Sequence, residues 1–367
     1  MGRYPRIVLC PDRIRENASK VVELCRRANV EVAAVPKGVL AEPRTARAMI
    51  EGGCASFADS RLRNLKLLRR EFPSVPRALL RIPMKSELED VVRCADCSLV
   101  SMTESIEALE AECRLAKATH EALLMFDLGD RREGILEEEL DAFVSTLRGC
   151  SRLRLRGVGV NFGCFSGVLP GVSALERLCA AREALESALG YDVPVCSGGS
   201  TSSLMLIERG ELPAGVNQLR VGEAILLGRD VAWRRDIPWL RQDTAVLEAE
   251  VVEVRVRPTL PEGETGADAF GNVHTFEDRG RRLRAIVAVG RQDVPPEGLI
   301  PCDRGVTVLG ASSDHMLLDV EEMDSPPRWG DVLRFFPGYS ALLGLMTSPY
   351  VFKDFVHFSP SASYEGE

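Results

Sequence analysis

The chain is poor in histidine, in lysine and in long apolar runs, and each shortage excludes a class of function. Its longest apolar runs fall far short of the roughly 20 residues that a membrane-spanning helix needs, and its N-terminus lacks the apolar segment of a signal peptide. A net charge of −8 leaves no excess of basic residues for nucleic-acid phosphates. We therefore expect a small-molecule substrate, with neither a membrane nor a nucleic acid as partner.

Metal chemistry and disulfides also find little support. The four histidines are widely spaced, and among eleven cysteines only Cys94 and Cys97 form a close pair. A zinc or redox site would need a second such pair or clustered histidines, so we predict no metal site. Scattered cysteines in an odd number are typical of reduced, mostly buried thiols, which indicates a cytoplasmic protein.

Short apolar stretches alternate with amphipathic stretches over most of the chain, which predicts parallel strands covered by helices. The eight predicted strands are residues 31–36, 53–57, 79–83, 97–101, 121–127, 156–161, 193–197 and 217–221. This count is typical of a closed (β/α)8 TIM barrel, with a doubly wound open sheet as the alternative. We predict an α/β protein with its barrel over residues 1–235.

The helical rhythm is lost in the last third of the chain. Residues 244–258, 281–290, 306–320 and 331–337 are strand-like, whereas residues 260–280 are polar and rich in glycine. We predict a C-terminal all-β domain over residues 236–367, with an exposed loop at 260–280.

Lysine is rare here, which makes the position of one lysine informative. Only six lysines accompany forty arginines, and Lys37 directly follows the first predicted strand. Active sites of such barrels lie at the C-terminal ends of the strands, so Lys37 is placed to act as a nucleophile. A lysine in partly apolar surroundings loses its charge readily and attacks aldehydes as a neutral amine. A solvated lysine at a strand end is the alternative.

Loops that contain glycine follow the seventh and eighth predicted strands, where barrels frequently bind phosphate. In SGGSTSSL (197–204), two glycines allow close approach of the backbone and the hydroxyls can donate hydrogen bonds. The loop after the eighth strand adds backbone N–H groups. The candidate contacts are Gly198, Gly199, Ser200, Thr201, Gly222 and Glu223. An ordinary turn with a helix cap is the alternative.

A nucleophilic lysine and a phosphate site at one end of a barrel together predict pyridoxal 5′-phosphate as the cofactor. Arg220, in the eighth predicted strand, is placed to meet the pyridine nitrogen and keep it unprotonated. An unprotonated ring is a weaker electron sink, which favours simple proton transfer over transamination. A salt bridge at the barrel mouth is the alternative role for Arg220.

Five motifs in series resemble those of the alanine racemase family, the fold type III pyridoxal-phosphate enzymes. They are AAVPKGV (33–39), DLGDRREG (127–134), GVNFG (159–163), SGGSTSSL (197–204) and LRVGEAILLG (219–228). Three more are most similar to the ornithine racemase branch, namely GRQD (290–293), GASSDH (310–315) and MTSPYV (346–351). The resemblance covers both predicted domains. It implies an isomerase that interconverts L- and D-amino acids by two-base proton transfer at Cα of a pyridoxal-phosphate aldimine.

The resemblance also implies roles for single residues. Lys37 holds the cofactor and acts as one of two bases, Arg220 contacts the pyridine nitrogen, and Arg132 serves the substrate carboxylate or is a solvated loop arginine. The other implied cofactor contacts are Asn161, Ser200, Thr201, Gly222, Glu223 and Tyr350, and the other implied substrate contacts are Arg291 and Ser313. A head-to-tail homodimer is implied, in which the β domain of one subunit completes the partner's site.

Three positions depart from the pattern of alanine racemase itself. Arg291 replaces the tyrosine that acts as the second base, Asn161 replaces a histidine stacked over the ring, and Ala41 replaces a tyrosine at the phosphate. These changes argue against alanine as the substrate.

Because an arginine is a poor base at neutral pH, another group must move the proton on the face opposite Lys37. His315 is the leading candidate, since histidine titrates near neutral pH, although a structural histidine is equally compatible with the sequence. Tyr339 and Tyr350 are the alternatives.

The substrate and the reaction stay open from sequence alone. Acidic residues of the β domain could receive the cationic side chain of ornithine or lysine, or could simply form turns and solvated edges. These residues include Asp293, Asp303 and Asp314. The alternative functions are a fold type III aldolase, dehydratase or decarboxylase, and a non-catalytic pyridoxal-phosphate-binding protein.

Overall fold

The computed structural model describes residues 3–357, and the chain divides into two compact units. The barrel unit comprises Asp12–Arg241, and the β unit comprises residues 3–11 together with residues 242–357. The division therefore lies at Arg241 rather than at residue 235. The N-terminal strand Arg6–Leu9 groups with the β unit, although the sequence analysis assigned it to the barrel, because it pairs with Ala245–Pro258 and Phe352–Phe355.

The predicted (β/α)8 barrel is confirmed. Eight parallel strands close on themselves in chain order, the first pairing with both the second and the eighth. They are Glu31–Ala34, Ser56–Asp59, Arg77–Leu79, Cys97–Val100, His120–Phe126, Leu153–Val160, Val195–Ser197 and Gln218–Val221. Closure buries the strands on both faces, which explains why they are so apolar.

Helices and short 3-10 turns connect the barrel strands. The α-helices are Pro11–Arg27, Pro43–Glu51, Leu62–Glu71, Leu88–Cys94, Thr103–Ala116, Leu140–Arg148, Val172–Leu189, Leu204–Glu208 and Glu223–Leu227. The 3-10 turns are Pro36–Val39, Lys85–Glu87, Glu137–Glu139 and Thr201–Ser203. Two of these turns, Pro36–Val39 and Thr201–Ser203, lie at the C-terminal ends of the first and seventh barrel strands and carry predicted site residues.

Gly157, in the sixth barrel strand, leaves no room for a side chain. A Cβ atom there would lie 2.6 Å from Val195 Cβ and closer still to the Val195 carbonyl oxygen. We expect Gly157→Ala to lower the free energy of unfolding by about 3 kcal/mol, since the backbone of the seventh strand would have to shift. Denaturant titration measures this loss. Gly266→Ala, at an exposed glycine with open space around it, is the matched control and should be almost neutral.

The β unit is built around a sheet that is antiparallel except for the parallel pair Arg6–Leu9 and Phe352–Phe355. Its strands are Arg6–Leu9, Ala245–Pro258, Arg281–Val287, Leu299–Pro301, Thr307–Ala311, Met316–Asp319, Val332–Pro337 and Phe352–Phe355, and it contains the helix Tyr339–Thr347. The single strand predicted at 306–320 is instead two strands joined by a tight turn at residues 312–315. This turn carries three candidate site residues, Ser313, Asp314 and His315.

Between residues 3 and 357, every helix is too short or too polar to cross a membrane. Residues 260–280, predicted to form an exposed loop, are almost entirely exposed.

Candidate active site

The C-terminal ends of the barrel strands bring the predicted cofactor residues together. Lys37 lies in the 3-10 turn that follows the first strand, and Arg220 lies in the eighth strand, which is paired with the first. Both Arg132, from the loop after the fifth strand, and Arg220 are close enough to Lys37 for their charges to act on its ionisation. Residues far apart in sequence therefore share one end of the barrel.

Lys37 has the environment of a nucleophilic amine. The side chain is half-buried, and burial is the main cause of a pKa below the ordinary lysine value. The guanidinium groups of Arg132 and Arg220 lower this pKa further, whereas Cys164 and Asp59 oppose the shift. A lysine with a lowered pKa is more often the neutral amine that attacks an aldehyde.

Arg220 is only 4% exposed, and its guanidinium is held by neutral groups. It donates to the Val160 carbonyl oxygen at 2.7 Å, to Asn161 Oδ1 at 2.8 Å and to Ser197 Oγ. Burial lowers its pKa to about 10, which still leaves it charged at neutral pH. These contacts fix the orientation of the guanidinium without neutralising its charge, as a group that faces a ring nitrogen requires.

A chain of hydrogen bonds continues from Arg220 through Asn161. The Asn161 Nδ2 donates to Glu133 Oε1 at 2.6 Å, and the guanidinium of Arg132 is paired with the same carboxylate. Glu133 thus positions Arg132, whose side chain is 41% exposed. Arg132 is therefore exposed but held in an ion pair.

The two glycine-containing loops are joined to each other by a hydrogen bond. Thr201 Oγ1 accepts from the Ala224 backbone N–H at 3.2 Å, which links the loops after the seventh and eighth strands. Gly199 has a φ of +111°, and a Cβ there would lie 2.7 Å from Ser203 Oγ. A Cβ at Gly222 would lie 2.9 Å from the Val35 carbonyl oxygen, beside the first strand. Glycine is therefore needed at both positions for this packing.

Ser200 and Glu223 use their polar groups within these loops. The carbonyl oxygen of Ser200 accepts from Ser203 N–H at 3.1 Å. The Glu223 side chain turns back to accept from Val231 N–H at 3.4 Å, while burial raises its pKa to about 7. A nearby Asp230 raises that pKa further. The predicted contact of Glu223 with phosphate uses its backbone N–H. The engagement of its carboxyl with Val231 is compatible with that contact.

In the β unit, Arg291, Ser313 and His315 form one cluster. Arg291 N–H donates to the Ser312 carbonyl oxygen at 2.8 Å, and Gln292 N–H donates to that of Ser313 at 3.1 Å. A Cβ at position 290 would overlap the Ser313 carbonyl, so only glycine permits this contact. Ser313 and His315 are exposed on the hairpin turn. Sequence segments predicted separately thus meet at one edge of the sheet.

The side chain of Arg291 is largely occupied within the β unit. Its guanidinium is paired with the Glu297 carboxylate and lies 5.5 Å from the centre of the Phe270 ring. These contacts compete with the predicted contact between Arg291 and the substrate.

The remaining candidates of the β unit differ in exposure. Asp293 is buried and accepts a hydrogen bond from Ser348 Oγ at 2.6 Å, so its predicted contact with a cationic substrate does not fit its position. Asp303 and Asp314 are exposed, and Tyr350 is 61% exposed. Tyr339 begins the helix Tyr339–Thr347.

Sequence reasoning missed Asp59, Glu133 and Ser197 as site residues. Glu133 and Ser197 stand inside the quoted motifs, next to the predicted Arg132 and the two glycines, but nothing in the sequence connects them to Asn161 and Arg220. Asp59 ends the second barrel strand and is fully buried. In the sequence, Asp59 is recognisable as a charged residue at the end of an apolar run. The predicted strand, residues 53–57, ended two residues before it.

Asp59 destabilises the fold at neutral pH. Burial raises its pKa to about 6 from 3.8, so ionisation is less favourable in the folded chain than in the unfolded one. Stability therefore falls as the pH rises from about 4 to 6. We expect Asp59→Asn to raise the free energy of unfolding by about 2–3 kcal/mol above pH 7. Urea titrations across pH should show this gain vanish below about pH 4, and a pH-independent difference would contradict the account.

A comparison with protein families gives a match to the alanine racemase N-terminal domain over residues 9–230. The chain belongs to the alanine racemase family. The match includes all eight barrel strands and each predicted cofactor residue of the barrel unit. The resemblance to the alanine racemase family, which five motifs indicated, is thereby confirmed.

Two curated relatives of this racemase family member are similar over nearly their whole length. A lysine racemase from Thermotoga maritima is 42% identical over 350 residues, covering 95% of this chain and 98% of the relative. An ornithine racemase from Acetoanaerobium sticklandii is 39% identical over 352 residues, covering 96% and 99%. The prediction of an amino-acid racemase is therefore confirmed.

The fold of this racemase matches solved structures of the family. An alanine racemase from Bartonella henselae, solved with covalently bound pyridoxal phosphate, has a TM-score of 0.72 at 17% identity, covering 97% of this chain and all of that one. At this identity the likeness supports the fold alone.

Within residues 3–357, no three His, Cys, Asp or Glu side chains are grouped so that they could hold a metal ion.

Proposed function

We propose that this racemase binds pyridoxal phosphate through Lys37 and interconverts the enantiomers of lysine or ornithine. The observation that carries the proposal is the pairing of a half-buried amine of lowered pKa with a buried, charged guanidinium on the neighbouring barrel strand. When bound, pyridoxal phosphate supplies an aldehyde that joins to amines and a ring that draws electrons from Cα of the joined amino acid.

The donor set fits this cofactor. The amine of Lys37 suits the aldehyde, Arg220 suits an unprotonated ring nitrogen, and the linked loops around Thr201 and Gly222 suit a phosphate. Because the acceptors of Arg220 are neutral, its charge is available to the ring. Lys37 Nζ takes the Cα proton on one face, and Arg132, steadied by Glu133, orients the substrate carboxylate.

The proposed substrate class rests on the two curated relatives and on the loss of the alanine-racemase pattern at Asn161, Ala41 and Arg291. The exposed Asp303 and Asp314 of the β unit are the acidic groups offered to a cationic side chain. Their exposure limits the affinity that each can add.

Substrate preference is tested by polarimetry on purified enzyme supplied with pyridoxal phosphate. We expect kcat/KM for L-lysine or L-ornithine to exceed that for L-alanine by about a hundredfold, since a recognised cationic group discriminates strongly against a methyl. Complete decay of optical rotation with no other product identifies racemisation. A preference for alanine contradicts the substrate class, and release of an aldehyde or carbon dioxide contradicts the reaction.

The second proton-transfer group in this proposal is His315, offered by a partner subunit in a head-to-tail dimer. Support comes from its exposure at a hairpin turn that is anchored to the Arg291 segment.

Subunit complementation tests the dimer and His315 together. Lys37→Ala and His315→Ala homodimers should each be inactive, and mixing them under conditions of subunit exchange should restore about a quarter of wild-type activity. The gain arises because one site of each mixed dimer has both groups intact. Mixing Lys37→Ala with itself is the control. Inactivity of the mixture despite proven exchange contradicts shared sites.

We also propose a reducing compartment such as the cytoplasm. The eleven cysteines are free thiols, and Cys179 Sγ and Cys196 Sγ lie 3.7 Å apart, joined by a hydrogen bond rather than a disulfide.

A further inference from the structure

Asp59 and Lys37 belong to neighbouring elements of the barrel, since Asp59 ends the second strand and Lys37 lies in the turn after the first, which contacts that strand. The second barrel strand, Ser56–Asp59, runs parallel to the first, with Ala34 opposite Phe57. Parallel neighbours end at the same edge of the barrel, so the last residue of one strand meets the turn that follows the other. The carboxylate and the amine are close enough that each favours the charged form of the other.

One oxygen of the Asp59 carboxylate is fixed and the other is not. Oδ1 accepts from Arg61 N–H at 3.0 Å and from Asn64 Nδ2 at 3.0 Å. Oδ2 is buried and has no hydrogen-bond partner among the described residues. A buried carboxylate oxygen without a partner destabilises a protein, so its presence at an active site points to a role in function.

Among the charged groups around Lys37, Asp59 is the carboxylate that can stabilise a positive charge on the lysine. Arg132, in the loop after the fifth strand, and Arg220, in the eighth strand, both disfavour a proton on Lys37. Cys164, in the loop after the sixth strand, favours it only as a thiolate. Asp59, in the second strand, is the carboxylate in this set. A neutral amine that removes a proton becomes a cation, and a half-buried cation that two guanidinium groups disfavour is stabilised by an anion.

We propose that Asp59 is a positioning residue of Lys37, whose Oδ2 accepts a hydrogen bond from Lys37 Nζ when that nitrogen carries the proton taken from the substrate. The inference rests on the proposed function of Lys37. The proton moves from Cα to Nζ while the electron pair of the C–H bond stays with the substrate, and Asp59 remains a carboxylate throughout. It holds the ammonium in place for return of the proton.

Titration of Lys37 by NMR tests the contact without any cofactor. Protein labelled with 13C at lysine Cε gives six lysine signals, and the Lys37 signal is the one absent from Lys37→Arg. In Asp59→Asn we expect the titration midpoint of Lys37 to move to lower pH, because an attractive charge is lost. Glu110→Gln, which removes a carboxylate bound to the backbone of residues 151–153, is the control and should leave it unmoved. An unchanged midpoint in Asp59→Asn overturns the inference.

Kinetics then separate positioning from a structural role. We expect Asp59→Asn to lower kcat by about tenfold or more with KM little changed, and to move the lysine-dependent limb of the kcat profile to lower pH. Since this variant is expected to be more stable than wild type, a loss of activity cannot be assigned to unfolding. An unaltered kcat and pH profile overturns the inference.

The same experiments distinguish the inference from the proposed function. If wild-type protein shows no Lys37-dependent absorption with pyridoxal phosphate, the proposed function fails, and the role of Asp59 fails with it, whatever the NMR titration gives. If wild type shows the absorption and Asp59→Asn titrates and turns over like wild type, only the role of Asp59 is wrong.

Discussion

Lys37→Ala lowers kcat/KM for racemisation by at least about 10⁴-fold, equivalent to about 5 kcal/mol of transition-state stabilisation. The effect is large because one amine has two tasks, to hold the cofactor and to move the Cα proton. Its half-buried position and lowered pKa support both. Steady-state polarimetry with added pyridoxal phosphate measures the loss, and the visible absorption of the lysine-bound cofactor should vanish with it.

Two further variants define the chemistry that is lost. Lys37→Arg keeps the charge but not the nucleophile, so it should be as inactive as Lys37→Ala. Lys66→Ala removes an exposed lysine that is paired with Asp90 at 2.8 Å, and it should retain wild-type activity. Racemisation by Lys37→Ala at more than a few per cent of the wild-type rate would contradict the assignment.

Arg220→Gln lowers kcat by about a hundredfold to a thousandfold and introduces transamination as a side reaction. Glutamine can still donate to Val160 O or Asn161 Oδ1, so part of the local hydrogen bonding is retained while the charge is lost. Without the charge of Arg220, a bound pyridoxal phosphate would be a stronger electron sink, which would favour transamination over simple proton transfer. Chromatography detects the aminated cofactor that transamination releases.

Ser197→Ala is the matched control for Arg220. It removes one acceptor of the guanidinium but keeps the charge, so we expect less than about a tenfold loss and no side reaction. A side reaction of equal size in both variants would show that geometry, rather than charge, sets the course of the reaction. Wild-type kinetics in Arg220→Gln would remove Arg220 from the site.

The barrel and its central residues could be predicted because the relevant signals are local. Each barrel strand is short and mostly buried, and seven of the eight were placed from that property, whereas the predicted stretch 79–83 meets Arg77–Leu79 at Leu79 alone. The rule that barrel sites lie at strand ends then placed Lys37 and Arg220 together, and the structure brings them to paired strands.

The missed features depend on contacts between distant residues. The strand Arg6–Leu9 is four residues long and is defined by its pairing with residues more than two hundred positions away. Asp59 was left outside the predicted strand because the apolar run ends before it, although pairing continues to that residue. The link from Arg220 through Asn161 and Glu133 joins three strand ends, and no local pattern encodes it.

Borohydride reduction of the protein with pyridoxal phosphate, followed by peptide mass mapping, shows which lysine holds the cofactor. Reduction fixes the cofactor covalently to whichever lysine holds it. The account predicts a phosphopyridoxyl group on Lys37 in nearly every molecule. Labelling that is spread over Lys20, Lys66, Lys85, Lys117 and Lys353, or absent altogether, would contradict it.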